Sequence, residues 1–77
     1  MNKEKFTWQI DCQHTPETID RILMPIRKRA MMVVELHYTQ KTNDAALCKV
    51  VFEAEAAEAE RIYKNMLRII DIIEIHR

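Results

Sequence analysis

The segment TPETIDRILMPIRKRAMMVVEL, residues 15–36, decides the fold, because it contains a helix start, an apolar stripe and a following strand. Thr15 is a good N-cap, Pro16 suits the first helical position, and Glu17 adds a negative charge to the first turn. Apolar residues then recur at helical spacing, at Ile19, Ile22, Leu23 and Ile26. These features predict an amphipathic helix.

Pro25 lies inside this stripe, and a proline in a helix interior costs about 3 kcal/mol through a lost hydrogen bond and a steric clash. We expect a kink there, because the stripe continues to Ile26. Basic residues 27–29 close the helix, which suits the negative end of its dipole. Residues 31–39 then alternate with period two and predict the second strand.

The flanking segments complete a β-α-β-β-α-β order. The remaining predicted elements are a strand over Lys5–Cys12, a turn over Gln40–Asp44, a strand over Ala45–Glu53, a helix over Ala54–Arg68 and a strand over Ile69–His76. Alternation, good helix formers and β-branched residues identify these elements. With right-handed crossovers, the order predicts an α+β ferredoxin-like sandwich: a four-stranded antiparallel sheet with two helices on one face.

Because side chains alternate along a strand, the sequence predicts which residues lie on each face of the sheet. One face carries Phe6, Trp8, Ile10, Cys12, Ala46, Cys48, Val50 and Phe52 and is expected to pack against the helices. The opposite face is expected to carry Thr7, Gln9, Val33, Leu47 and Val51. This second set is partly apolar, and a partly apolar exposed face favours a partner.

Length and composition limit the class of protein. A chain of 77 residues forms one domain, over residues 1–77, and at this size pairing with a second copy adds stability. Twelve basic residues balance twelve acidic ones, so charge offers no general reason to bind nucleic acid or a membrane. We expect a cytoplasmic protein, because no apolar run approaches a membrane span and no secretory signal precedes the first strand.

The absence of glycine argues against catalysis. Without glycine there is no GxGxxG motif, no P-loop and no nucleophile elbow. We therefore expect no catalytic residue and no cofactor. The potential metal ligands Cys12, His14, His37, Cys48 and His76 lack the spacing of a zinc site, so no metal site is expected. RNA binding is disfavoured because the aromatic residues share the helix-facing phases.

The loop Asp11-Cys12-Gln13-His14-Thr15 is the candidate binding site. It ends at a helix N-terminus, where backbone N–H groups without a partner can receive a carboxylate. An amino-acid effector suits such a site, and an ordinary capped turn is the alternative.

The residues TPETIDRIL (15–23), IRKR (26–29) and Met31 to Leu36 resemble the small regulatory subunit of acetolactate synthase (acetohydroxyacid synthase). The similarity is to the short isozyme II type, which is a single ACT domain. The resemblance implies a non-catalytic subunit that binds and activates the large thiamine-diphosphate-dependent subunit in branched-chain amino-acid biosynthesis. It also implies a homodimer joined through sheet edges, and in some isozymes inhibition by valine.

The resemblance also suggests which residues contact an effector. Carried over by position, they are Asp11, Gln13, His14 and Thr15. Many ACT domains have a glycine just before the second strand, where Ala30 stands here. That difference favours activation of a catalytic partner over a response to valine. A free-standing ACT domain that senses an amino acid, and an interaction or RNA-binding module of the same fold, remain alternatives.

Overall fold

The structure is a computed structural model and describes residues 3–77; residues 1 and 2 of the predicted 1–77 domain lie outside the described residues. The elements in chain order are β1 (Glu4–Gln13), α1 (Thr18–Lys28), β2 (Met32–Gln40), β3 (Ala45–Ala54), α2 (Ala56–Met66) and β4 (Ile72–His76). This is the predicted β-α-β-β-α-β order. The strands form one antiparallel sheet in the order β2-β3-β1-β4, and the ferredoxin-like prediction is confirmed.

The two central strands, β1 and β3, pair along their whole length, from Glu4 opposite Ala54 to Gln13 opposite Ala45. β2 and the shorter β4 are the edges of the sheet. The final strand begins three residues later than predicted, because residues 69–71 form a turn after α2. Neither helix within residues 3–77 is long and apolar enough to cross a bilayer.

The core lies between the sheet and the two helices. Its buried residues are Trp8, Ile10, Cys12, Ile22, Ile26, Ala46, Cys48, Val50, Phe52, Ala54, Ala59, Ile62 and Met66. The predicted helix-facing phases of β1 and β3 are therefore confirmed. Trp8 packs edge-on against Phe52 with ring centroids 4.8 Å apart, and Phe6 and Tyr63 extend this aromatic group. All five aromatic side chains in the chain pack into or against the core.

A bulge in β2 overturns the predicted position of Val33. Val33 pairs with Phe52 and Glu35 with Val51, so Val34 is an extra residue in the ladder. The bulge reverses the side-chain phase, because one inserted residue exchanges the two faces of a strand. Val33 therefore packs against the core instead of lying on the open face, while Val34 is exposed.

The first helix begins at Thr18, two residues later than Pro16, where the sequence predicts its start. Residues 16 and 17 form a turn ahead of it. Pro25 is buried, and the α-helix runs through it to Lys28 without a break. Burial of the proline ring, on a helix whose Ile22 and Ile26 are also buried, offsets the hydrogen bond that proline cannot donate.

Ala30 ends the first helix in the left-handed region, with φ of 60°. Its N–H donates to the carbonyl of Arg27, and the N–H of Met31 donates to the carbonyl of Ile26. These two hydrogen bonds form a Schellman motif, whose left-handed position is usually glycine. The backbone at Ala30 thus has the conformation that glycine adopts most easily, although the residue is alanine.

Candidate functional site

The loop between β1 and α1 is held by the buried hydroxyl of Thr18, which has no exposed surface. This hydroxyl donates to the carbonyl of Gln13 at 2.7 Å and accepts from the N–H of Thr15 at 3.1 Å. The Thr15 hydroxyl lies 2.8 Å away and donates to it, since the single Thr18 proton is already used. One side chain therefore determines the shape of the loop.

His14 connects the same loop to two other elements. Its Nδ1 lies 2.8 Å from the hydroxyl of Tyr38 on β2, and its backbone N–H donates to the carbonyl of Asp44 at 2.9 Å. Burial raises the pKa of Tyr38, so the phenol remains protonated across the neutral range. His14 is thus fixed through its ring to the edge strand and through its backbone to the β2–β3 turn.

A cavity of about 290 Å³ opens beside this loop and is lined by Gln13, His14, Thr15 and Asp44. Three of the predicted contact residues are therefore brought together. An imidazole, a hydroxyl and a carboxylate provide hydrogen-bond acceptors and donors for a small zwitterion such as an amino acid.

The backbone N–H groups at the start of the helix are less available than expected. Those of Thr15, Glu17 and Thr18 donate to Thr18 Oγ1, Thr15 Oγ1 and the Thr15 carbonyl, respectively. Because these donors already have acceptors within the loop, a carboxylate in this cavity would bind chiefly through side chains.

Asp11 does not line this cavity. It lies on the open face of the sheet, where its carboxylate is 3.1 Å from His76 Nε2 and 3.5 Å from Lys41 Nζ. The hydrogen bond from His76, supported by the charge of Lys41, holds the pKa of Asp11 below its usual value. The predicted set therefore divides into a loop cavity and a separate cluster on the sheet.

The Asp11 cluster includes the residues best able to hold a metal. Ligand atoms of Asp11, Glu74 and His76 all lie within 4.8 Å of one another. The ammonium of Lys41 competes for the Asp11 carboxylate, so the arrangement functions as a network of ion pairs. The cysteines considered from the sequence are buried in the core.

Sequence reasoning missed three residues that build the loop site: Thr18, Tyr38 and Asp44. Thr18 could have been found, because Thr15-x-x-Thr18 places two hydroxyls one turn apart at a helix start. Tyr38 and Asp44 reach the loop only through sheet pairing, and no local pattern around them indicates this contact.

Comparison with known proteins shows likeness in structure only. No family model matches the sequence, and no curated protein matches it. The ACT domain of GTP pyrophosphokinase from Chlorobium tepidum superposes with a TM-score of 0.77 at 9% identity, covering 100% of this chain and 88% of that one. The C-terminal domain of MgtC from Mycobacterium tuberculosis gives a TM-score of 0.73 at 12% identity, over 94% of this chain and 82% of that domain.

The fold also occurs inside a larger enzyme. A formyltetrahydrofolate deformylase from Pseudomonas putida matches with a TM-score of 0.65 at 15% identity, over 96% of this chain and 29% of that protein. At these identities the comparisons establish a shared fold. The chain therefore has the architecture of ACT domains, which is the coarser part of the resemblance found in the sequence.

Proposed function

We propose that this chain is a non-catalytic regulatory module that binds an amino acid in the β1–α1 loop cavity. The observation that carries the proposal is the fixed position of His14 between Tyr38 and the β2–β3 turn. A polar loop anchored to two other elements is ordered before a ligand arrives, which lowers the entropic cost of binding. Gln13, His14 and Thr15 are the proposed contact residues; for Asp11 we propose a contribution through the neighbouring sheet face.

Within this cavity, each group of an amino acid has a complementary side chain. The carboxylate of Asp44 suits the ammonium of the ligand, and the imidazole of His14 and hydroxyl of Thr15 suit its carboxylate. The small volume of about 290 Å³ favours a free amino acid over a peptide.

We further propose that two copies pair along an edge of the sheet. β2 has nine residues and carries Tyr38, whereas β4 has five residues. Pairing along the longer edge satisfies more backbone groups and would bring the second copy beside the His14–Tyr38 contact. Occupation of the cavity would then be coupled to the dimer interface.

The partner that we propose is the large, thiamine-diphosphate-dependent subunit of acetolactate synthase. The support is the resemblance of residues 15–36 to the small subunit of that enzyme. The chain itself would then supply no catalytic group and would act by binding and activating the large subunit. A free-standing module that senses an amino acid has the same structural support, since both share the loop cavity.

Two measurements test these proposals separately. Co-purification with a large acetolactate synthase subunit and an increase in acetolactate formation would support the partner; no co-elution and no change in rate would refute it. Thermal unfolding with millimolar valine, leucine or isoleucine tests the effector site, since a ligand that binds the native state raises Tm. His14→Ala should abolish such a shift, whereas His37→Ala, at an exposed position on β2, should retain it.

If none of the three amino acids shifts Tm, the branched-chain effector is wrong. A shift without co-elution would favour the free-standing sensor over the enzyme subunit. A dimer by sedimentation that is lost on introducing Val34→Pro would support pairing along β2. A monomer at high protein concentration would refute the pairing.

A further inference from the structure

The helix layer exposes large apolar side chains on the side of the molecule away from the open sheet face. Ile70 is 81% exposed and Met24 is 59% exposed, and Leu67 lies exposed just after α2. Because much of their apolar surface remains in water, these side chains contribute less to folding than buried ones do. Met24 and Ile70 line one groove, and exposed apolar side chains at a groove are typical of a surface that binds a partner.

The groove lies between α1 and the segment that follows α2. Its walls are mostly apolar, formed by Met24, Pro25, Ile69 and Ile70 with the polar Asn65, and its volume is about 430 Å³. That volume accommodates a few apolar side chains, in the range of typical binding clefts. Methionine at such a surface adapts to partners of different shape.

Basic side chains border the groove. Arg21 and Lys28 lie at its rim. A second hollow on the other side of Met24 is lined by Arg27, Lys28 and the acidic Asp20. Arg21 is held in place by Asp71 at 2.7 Å, whose carboxylate is buried. Among the ion pairs within residues 3–77, none involves Arg27 or Lys28. Arg27 and Lys28 outnumber Asp20, so the rim has a net positive charge on a chain that is neutral overall.

We propose that this groove binds an acidic amphipathic helix of a partner protein. Met24 and Lys28, one turn apart on α1, form a ridge between the two hollows. A ridge flanked by grooves is the surface against which a second helix packs. The apolar walls match the apolar face of that helix, and Arg27 and Lys28 match its acidic residues.

This inference is independent of the loop cavity, because the two sites share no lining residue. It also leaves β2 available for pairing, since the groove is built from helix residues and the turn after α2. Failure of amino-acid binding would therefore not affect it.

The test uses a synthetic helix with leucine on one face and glutamate on the other, added to the full chain. We expect amide chemical shifts to change at Met24, Lys28 and Ile70 and not on the open face of the sheet. Ile70→Asp should weaken binding by about tenfold or more, since it removes an apolar anchor and adds a like charge. Ile73→Asp, a matched change at an exposed position on β4, should leave binding unchanged.

Charge provides the second criterion. The same helix with lysine in place of glutamate should bind at least about tenfold more weakly. Added salt should weaken binding of the acidic helix, because it screens the attraction to Arg27 and Lys28. Equal binding of both helices, shifts outside the groove, or equal effects of Ile70→Asp and Ile73→Asp would each overturn the proposal. So would binding to vesicles of anionic phospholipid in preference to the acidic helix.

Discussion

The Nδ1 atom of His14 lies 2.8 Å from the hydroxyl of Tyr38, and this contact joins the candidate loop to an edge strand. Tyr38→Phe removes the contact and retains the ring. We expect a loss of about 1 kcal/mol in the free energy of unfolding, with faster amide exchange at His14 and Thr15. Tyr63→Phe, whose ring packs edge-on against Trp8, is the matched control and should leave loop exchange unchanged. Equal exchange in both variants would contradict the role given to the contact.

Thr18 should be the most sensitive residue of the loop. Thr18→Val retains the shape of the side chain but leaves the Gln13 carbonyl and the Thr15 N–H without a partner. Buried groups left unpaired cost about 1–3 kcal/mol, so we expect Thr18→Val to be about 2 kcal/mol less stable than the parent. Thr18→Ser retains the hydroxyl and should lose less, mainly one buried methyl group. Urea unfolding of the two variants measures the difference; a greater loss in the serine variant would show that packing dominates.

Ala30→Gly should stabilise the protein by about 1 kcal/mol. Alanine at φ of 60° carries a steric cost of about 1–2 kcal/mol that glycine avoids, and the greater freedom of glycine in the unfolded chain removes part of the gain. Ala57→Gly, at an exposed position inside α2, should have the opposite effect, because glycine disfavours helix. Thermal unfolding compares the two. A loss of stability in Ala30→Gly would contradict the strain assigned to this position.

The buried cysteines predict a loss of stability in alkaline solution. Burial raises the pKa of Cys48 from 9.0 to about 11, and it also raises the pKa of Cys12. The stability that the protonated Cys48 thiol contributes is fully present below pH 9, where the thiol is protonated in both the folded and the unfolded protein. It declines as the unfolded thiol ionises and is lost as the pH rises through about 11.

The free energy of unfolding should therefore fall over this window more steeply in the parent than in Cys48→Ala, which lacks one of the two thiols. The quantity compared is the change in the free energy of unfolding per pH unit. The smaller side chain of alanine lowers that free energy equally at every pH and does not alter the slope. Equal slopes would contradict the effect of burial. Thiol-specific reagents should likewise react with the native protein only as fast as it opens, since both thiols are buried.

Alternation was sufficient to predict the central strands, whereas it failed at one position of the edge strand. In β1 one phase holds Phe6, Trp8 and Ile10 and the other is polar, so the buried side is unambiguous. In β3 the open phase also includes Leu47 and Val51, but its Lys49 and Glu53 distinguish it from the wholly apolar buried phase. In residues 32–34, at the start of β2, both phases are apolar, and nothing in the sequence distinguishes them. The bulge at Val34 depends on pairing with Phe52 and Val51, which is a non-local property.

The sequence indicated where the candidate site lies, through its helix start, but it did not indicate all the residues that form the site. The Thr15-Pro16-Glu17 signal indicates a helix start, but the N-cap is Glu17 and not the predicted Thr15, and the helix begins at Thr18. The groups that hold the loop, Tyr38 and Asp44, are distant in sequence and reach it through the β2–β3 hairpin. Asp11, although adjacent in sequence, lies on the open face of the sheet, where its carboxylate pairs with His76 on β4 and with Lys41 instead of lining the loop cavity.

The strand order β2-β3-β1-β4 has a consequence for the time course of folding. β1 is synthesised first, yet its two neighbours, β3 and β4, follow much later in the chain. Only the β2–β3 hairpin can form from contacts between consecutive strands. Both edges of β1 therefore stay unpaired during synthesis until β3 and β4 have been made. Such distant pairings make folding slower than in a helical bundle of the same size, and Phe6, Trp8 and Ile10 remain exposed until the pairings form.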